Sequence, residues 1–240
     1  MKLSRYKRSA EQSYALGATL VYELFKTHSE LIRRVFLRPD ITCGTDLAAL
    51  LDQLRAQHID IVESTKAFNV LDAKESCLLI AEFTKPANQL DSATSHLVLV
   101  NPSDAGNLGT IMRSATAFGF TNLAIITPAV DPYQPKAIRA SMGAVFHLNL
   151  QEFTSFDEYL AAYGQDRACY AFMLDNQAIQ LPDLTLNDQK IALIFGNEAS
   201  GLPADFVTKA TPVYIPQSSN VDSLNLSVAT SIVLYQFRQK

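Results

Sequence analysis

The chain has 240 residues, a formal net charge of −4 and 48% hydrophobic residues, enough to bury one large core or two modest ones at usual domain sizes of about 100 to 150 residues. Its apolar runs fall short of the roughly 20 residues that cross a bilayer, and the start MKLSRYKRSAEQ lacks the apolar segment of a secretory signal, so a cytoplasmic protein without a membrane partner is expected. Cys43, Cys77 and Cys169 are odd in number and never spaced C-x-x-C, and His28, His58, His96 and His147 are scattered, which argues against a disulfide framework and against any metal site.

The charge is unevenly placed. Residues 1 to 40 hold eight basic and four acidic side chains, a balance of +4 that leaves −8 for the remainder. A basic stretch of this kind is either a phosphate-contacting patch or a solvated helix face, and composition alone does not choose.

In chain order, apolar spacing predicts a helix over 10–26, from Tyr14, Ala18, Val21, Leu24 and Phe25, then a strand at Val35-Phe36-Leu37 stopped by Pro39. Leu47, Leu50, Leu51 and Leu54 predict a second helix capped by Thr45, and Ile59 to Val62 and Cys77 to Phe83 read as further strands. Residues 85–95, KPANQLDSATS, have the composition of a linker, so two domains are expected, 1–90 and 91–240. The second opens with a strand at Leu97 to Val100, a helix that Gly119 closes after Phe118, and a strand at Leu123 to Ile126. Strands follow at Ala144 to Leu150, Cys169 to Met173, Ile191 to Phe195 and Val213 to Ile215, with helices at Phe156 to Tyr163, Pro203 to Lys209 and Leu226 to Phe237. Continuously apolar strands interleaved with helices predict an α/β fold with a mainly parallel sheet, which takes its ligands at the carboxyl ends of its strands.

Three segments can carry chemistry. Asn101-Pro102-Ser103-Asp104-Ala105-Gly106 leads into a helix on which Arg113 stands opposite the apolar stripe of Leu108, Ile111, Met112, Ala115 and Phe118. The nearby Gly106-Asn107-Leu108-Gly109 lacks the G-x-G-x-x-G spacing, which disfavours a nicotinamide oxidoreductase. Phe195-Gly196-Asn197-Glu198-Ala199-Ser200-Gly201-Leu202-Pro203 leaves an apolar strand with two glycines and one carboxylate, serving either a ligand or a turn. Ile215 to Ser227 is a polar loop in which Ser223 or Asn225 caps the last helix, with more polar residues than a cap requires.

Together the segments NPSDAGNLGTIMRSATAFGF, LIFGNEASGLP and IPQSSNVDSLNLSVATSIVLY resemble, in order and separation, the three signature motifs of SpoU-type (TrmH-type) RNA methyltransferases of the SPOUT superfamily, and Ser141 to Phe146 is similar to a further family segment. The resemblance covers roughly residues 95–240. It implies S-adenosylmethionine-dependent methylation of a ribose 2′-hydroxyl in rRNA or tRNA, a catalytic domain with a C-terminal trefoil knot, and a homodimer. It also implies a catalytic group of Asn107, Arg113, Glu198, Ser223 and Asn225, with main-chain groups of Gly196, Ile215 and Leu224 contacting the cofactor. Arginines are ordinarily protonated, so Arg113 is expected to hold a phosphate or developing alkoxide, oriented by Glu198 and Asn107, rather than act as a base. Residues 1–90 resemble the small α/β substrate-binding domain that precedes many such catalytic domains, except that Leu16-Gly17 stands where relatives often have Glu-Gly. The competing reading is a non-catalytic RNA-binding or ribosome-assembly factor that keeps the fold.

Overall fold

The computed structural model describes residues 3–39, 41, 44–175, 177–186 and 190–238; Lys2, Asp40 and Cys43, which entered the charge and cysteine readings, lie outside them. The chain divides into two compact units, one of Met1–Ala87 with Asp131–His147 and one of Asn88–Val130 with Leu148–Lys240.

The first unit is built on four strands, β1 (Gln12–Leu16), β2 (Ile32–Leu37), β3 (Ile61–Glu63) and β4 (Leu79–Thr84), in the order β1-β4-β2-β3. β4 is antiparallel to both β1 and β2, while β2 and β3 are parallel. Helix α1 (Ala18–His28) buries Leu20, Val21 and Leu24, and α2 (Thr45–Ala56) buries Leu47, Leu50, Leu51 and Leu54. The helix expected over 10–26 is therefore half strand. Tyr14, Ala15 and Ser13 are buried in β1, and Gly17, at a φ of 120° open only to glycine, breaks the chain between strand and helix. Thr45 is the first residue of α2 rather than its cap. A short helix α3 (Thr65–Val70), capped by the Ser64 side chain on the Ala67 amide, was not visible as a pattern in six residues.

The segment Asp131–His147 joins this unit although 43 residues of the other intervene. Asp131 anchors it, accepting hydrogen bonds from the Tyr6 hydroxyl, from Lys85 Nζ at 2.9 Å and from the Tyr133 amide at 2.8 Å. His147 Nε2 lies 2.9 Å from Glu23 Oε2, and the Phe146 ring meets Phe83 edge-on at 5.4 Å. Its secondary structure is α5 (Pro135–Ala140) and a 3-10 helix at Ala144–His147, where the sequence pattern suggested a strand. The compact units divide the chain differently from the contiguous 1–90 and 91–240 expected from sequence, with the buried Ile138, Val145 and Phe146 in the first unit.

Among the described residues the second unit carries seven strands: β5 (His96–Val100), β6 (Asn122–Ile126), β7 (Asn149–Phe153), β8 (Arg167–Phe172), β9 (Ile179–Gln180), β10 (Lys190–Phe195) and β11 (Thr211–Tyr214). Their order is β7-β6-β5-β10-β8-β11-β9, and all six pairings are parallel. The expected parallel α/β sheet is thus present, with β5 and β10 fully buried except for Lys190. The chain leaves β5 for β6 on one side and β10 for β11 on the other, which makes the β5–β10 junction the topological switch point of the sheet. Helices α4 (Ala105–Ala117), α6 (Phe156–Tyr163) and α7 (Leu226–Gln236) complete the unit, and Pro203 to Lys209 forms only a 3-10 helix at Ala204–Thr208.

Residues 88–95 are part of this unit rather than a free linker. Leu90 is buried, its amide donates to Gln151 Oε1, the Asp91 amide donates to Asn122 Oδ1, and the Arg167 guanidinium donates to the Ser92 and Thr94 carbonyls. Main-chain amides and carbonyls of the segment thus satisfy the buried side chains of Gln151, Asn122 and Arg167. Cys77 and Cys169 are half-buried, and burial pushes both thiols above their ordinary range.

His96 in β5 is fully buried, with Nδ1 3.0 Å from the Tyr159 hydroxyl and Nε2 2.9 Å from the Asp91 carbonyl. Burial brings its pKa down to about 4, so the ring is neutral in the fold. The unfolded chain takes up this proton near pH 6.5 whereas the folded one does so only near 4, so the stability contributed is complete above 6.5 and declines between those values. Denaturant titrations should show stability falling by about 3 kcal/mol from this group across that window, and His96→Gln should remove its share of the slope.

Candidate active site

The three motif loops all leave carboxyl ends of the parallel strands. The loop after β5 turns at Asn101, whose φ of 54° is tolerated by asparagine, and enters α4 under an Asp104 cap, Oδ1 accepting from the Asn107 amide at 2.8 Å. The loop after β10 folds back at once: Asn197 and Gly201 exchange backbone hydrogen bonds of 3.1 and 2.9 Å, and Asn197 Oδ1 accepts from the Ala199 and Ser200 amides. Gly196 is forced by this turn, since a Cβ there would stand 2.1 Å from the Gly201 carbonyl carbon. The loop after β11 ends at Asn225, which is the cap of α7, Oδ1 accepting from the Ser227 amide at 2.9 Å and hydroxyl at 2.7 Å.

Glu198 joins the first two loops across the switch point. Its Oε2 accepts from the Ser103 hydroxyl at 2.7 Å and amide at 3.0 Å, and its Oε1 from the Asp104 amide at 3.1 Å and Asn107 Nδ2 at 3.3 Å. Asn197 Nδ2 donates to the Asn101 carbonyl at 2.8 Å, a second tie between the same loops. Asn225 Nδ2 then donates to Asn107 Oδ1 at 3.1 Å, bringing in the third loop. Burial alone would raise the Glu198 carboxyl, but the hydrogen bonds from Ser103 and Asp104 outweigh it and hold the pKa below the usual carboxylate range.

Beside this network lies a cavity of about 390 Å³, within the roughly 300–1,000 Å³ of small-molecule sites. Gly196, Ile215, Leu224, Ser223 and Glu198 all line it, together with Phe172 and Phe195, whose rings stack at 4.6 Å and 5°.

Of the residues expected in a catalytic group, the structure joins Asn107, Glu198 and Asn225 by direct hydrogen bonds and puts Ser223 on the cavity wall. Arg113 is apart from them. It is exposed on α4, and Glu198 and Asn107, expected to orient it, direct their hydrogen bonds to Ser103, Asp104 and Asn225 instead. Its neighbours Thr110 and Ser114 border a shallow groove with α7, where Ser114 Oγ meets Ser231 Oγ at 2.8 Å. Sequence reading missed Ser103 and Asn197, whose roles show only once the loops are brought side by side, although their polar side chains stood within the quoted motifs.

A family model described as the SpoU rRNA Methylase family matches residues 94–235. The chain belongs to this family. Among curated SpoU-type relatives, the 23S rRNA (guanosine(2553)-2′-O)-methyltransferase RlmP of Bacillus subtilis is 30% identical over 181 residues, 73% of this chain and 71% of that protein. An uncharacterised tRNA/rRNA methyltransferase of Synechocystis is 33% identical over 60% of this chain, and the chain spans about half, 53%, of its length. The SpoU fold is shared with an AdoMet-bound rRNA methyltransferase from Sinorhizobium meliloti, at a TM-score of 0.80 and 22% identity over 95% of this chain and 87% of that one. The SpoU methyltransferase AviRb of Streptomyces viridochromogenes, in complex with AdoMet, has a TM-score of 0.78 at 22% identity over 96% and 92%.

Within the SpoU motifs Gly196 leaves no room for a side chain. Gly196→Ala should cost about 3 kcal/mol or more, since the opposing atoms are backbone and the Asn197–Gly201 turn must open to admit the methyl group. Thermal unfolding would measure this, and a variant of wild-type stability would contradict the close approach.

Proposed function

We propose that this chain uses S-adenosylmethionine to methylate a ribose 2′-hydroxyl of rRNA or tRNA, acting as a homodimer. The observation that carries the reading is one cavity at the carboxyl ends of β10 and β11 lined by the second and third motif loops, with the first motif loop tied beside it through the hydrogen-bonded set of Glu198, Asn107 and Asn225. Membership of the SpoU rRNA Methylase family and the names of the relatives support it. The trefoil knot belongs to the same proposal, the 196–224 loops being the segments that form it.

Gly196, Ile215 and Leu224 would hold the adenosine through main-chain groups, which read a base edge without needing charge. The cofactor supplies an electrophilic methyl on a sulfonium, so the protein has to align the ribose hydroxyl and accommodate the charge left on its oxygen. Glu198, Asn107 and Asn225 fix the loops against one another, and the Asn225 cap sets the start of α7 and with it Ser223 on the wall. The Arg113 side chain makes no hydrogen bond or ion pair among the described residues and would hold a phosphate or the developing alkoxide.

Its place beside the α4–α7 groove ties this role to the dimer. Val228, Ile232 and Tyr235 form an apolar stripe on α7, exposed at 47%, 41% and 59%, and continuous with the Thr110 side of α4. Leu234 of the same helix is buried within the chain. A second copy seated on this stripe would cover it and bring Arg113 of each chain to an enclosed site.

Calorimetry with S-adenosylmethionine tests the function, and mass mapping of ribose methylation in RNA from a deletion strain would identify the nucleotide; no cofactor binding would favour the non-catalytic RNA-binding factor. Arg113→Ala should change stability by no more than about 0.5 kcal/mol, as for a surface residue, yet lower methyl transfer by roughly 100-fold. Wild-type turnover would remove Arg113 from the mechanism. Ile232→Asp should yield a monomer of lost activity by sedimentation, and an active monomer would refute the dimer. RNA contact by the first unit is assigned to its basic start: replacing Arg5, Lys7 and Arg8 together should lower the salt slope of RNA binding by about 1 to 3, an unchanged slope excluding them.

A further inference from the structure

We propose that Asp175 holds the ribose diol of S-adenosylmethionine. This rests on the cofactor reading above and extends it to a residue outside the three motifs. Among the described residues lining the cavity only Asp175 and Glu198 carry charge, both negative. Glu198 is committed to Ser103, Asp104 and Asn107. Asp175 is not: Oδ1 accepts from the Gln177 amide at 2.8 Å, and Oδ2 has no partner among the described residues. A partly buried carboxylate with an open oxygen at a cavity wall is a strong acceptor, and vicinal hydroxyls supply two donors to it.

The sheet order places Asp175 with the ribose rather than with the ends of the cofactor. Across the carboxyl edge the strands run β5, β10, β8, β11. The loop after β5 leads to Asn107, so the reacting methyl belongs on that side. Gly196 follows β10 and Ile215 follows β11, and these are the positions assigned to the adenosine. Asp175 follows β8, between β10 and β11, and lines the same cavity as the stacked Phe172 and Phe195 rings. A carboxylate beyond the carboxyl end of a neighbouring parallel strand is how nucleotide-binding sheets commonly take a ribose 2′-hydroxyl.

The test is calorimetry of the full chain with S-adenosylmethionine, S-adenosylhomocysteine and 5′-methylthioadenosine, which keeps the ribose and lacks the amino acid. Asp175→Asn retains an oxygen for the Gln177 amide, and its unfolding without ligand should match the unaltered chain. Affinity for all three ligands should fall by a common factor of about ten to a hundred, the loss expected for a hydrogen bond to a charged group. In turnover with RNA the KM for S-adenosylmethionine should rise while kcat changes little. Asp175→Ser, which also keeps an acceptor for the turn, should behave alike. Unchanged affinities overturn the proposal, and so does a loss confined to the two ligands with an amino acid, which would assign Asp175 to the ammonium group. If the unaltered chain binds no S-adenosylmethionine, the functional reading falls as well; if it binds and Asp175→Asn binds equally, only this assignment falls.

Discussion

The site depends on the four hydrogen bonds that Glu198 accepts across the junction of β5 and β10. Where neighbouring parallel strands are followed by connections to opposite sides of the sheet, their two loops diverge and leave a gap between them. A single carboxylate between them satisfies the Ser103 and Asp104 amides and draws Asn107 into contact with the neighbouring loop. Asn107 in turn gives its oxygen to Asn225, so one ionised group fixes the relative positions of three segments far apart in sequence. Fully satisfied networks of this kind are rigid and intolerant of partial loss.

The division of labour within the site follows. Groups that line the cavity, namely Gly196, Ile215, Leu224 and Ser223, owe their places to loop backbones, while Glu198, Asn107 and Asn225 hold those backbones. The one cation expected to act in chemistry stands outside this set, on an exposed helix face next to an unpaired apolar stripe. Rigidity is thus supplied within the chain, and the charge is presented where a second chain is proposed to meet it.

Much of this was legible in the sequence because long apolar strands and motif loops are local signals. β5, β6, β8, β10 and β11 lie where hydrophobic runs predicted them, and α6 matches to the residue. β1 was read as helix because Tyr14, Ala15 and Leu16 fit either period until Gly17 interrupts them. Residues 88–95 looked like a linker because it is their main-chain amides and carbonyls that Asn122 and Arg167 take as partners, and a main-chain partner remote in sequence leaves no periodic trace. The same limit hid the isolation of Arg113: the wheel showed which way it faces and not that Glu198 is occupied elsewhere. Asp175 was invisible, being one acidic residue in a loop with no spacing to mark it.

The return of Asp131–His147 to the first unit bears on how such a protein can be divided and inherited. The path of the chain passes between the units three times, at 87/88, 130/131 and 147/148. A cut at the apparent boundary strands Ile138, Val145 and Phe146 without their apolar partners and leaves Asp131 without Lys85 and Tyr6. The N-terminal unit is therefore not a detachable cassette. An exchange of substrate-recognition units between relatives would have to carry two separate stretches of gene at once, so change in this unit is expected to proceed by substitution in place rather than by shuffling.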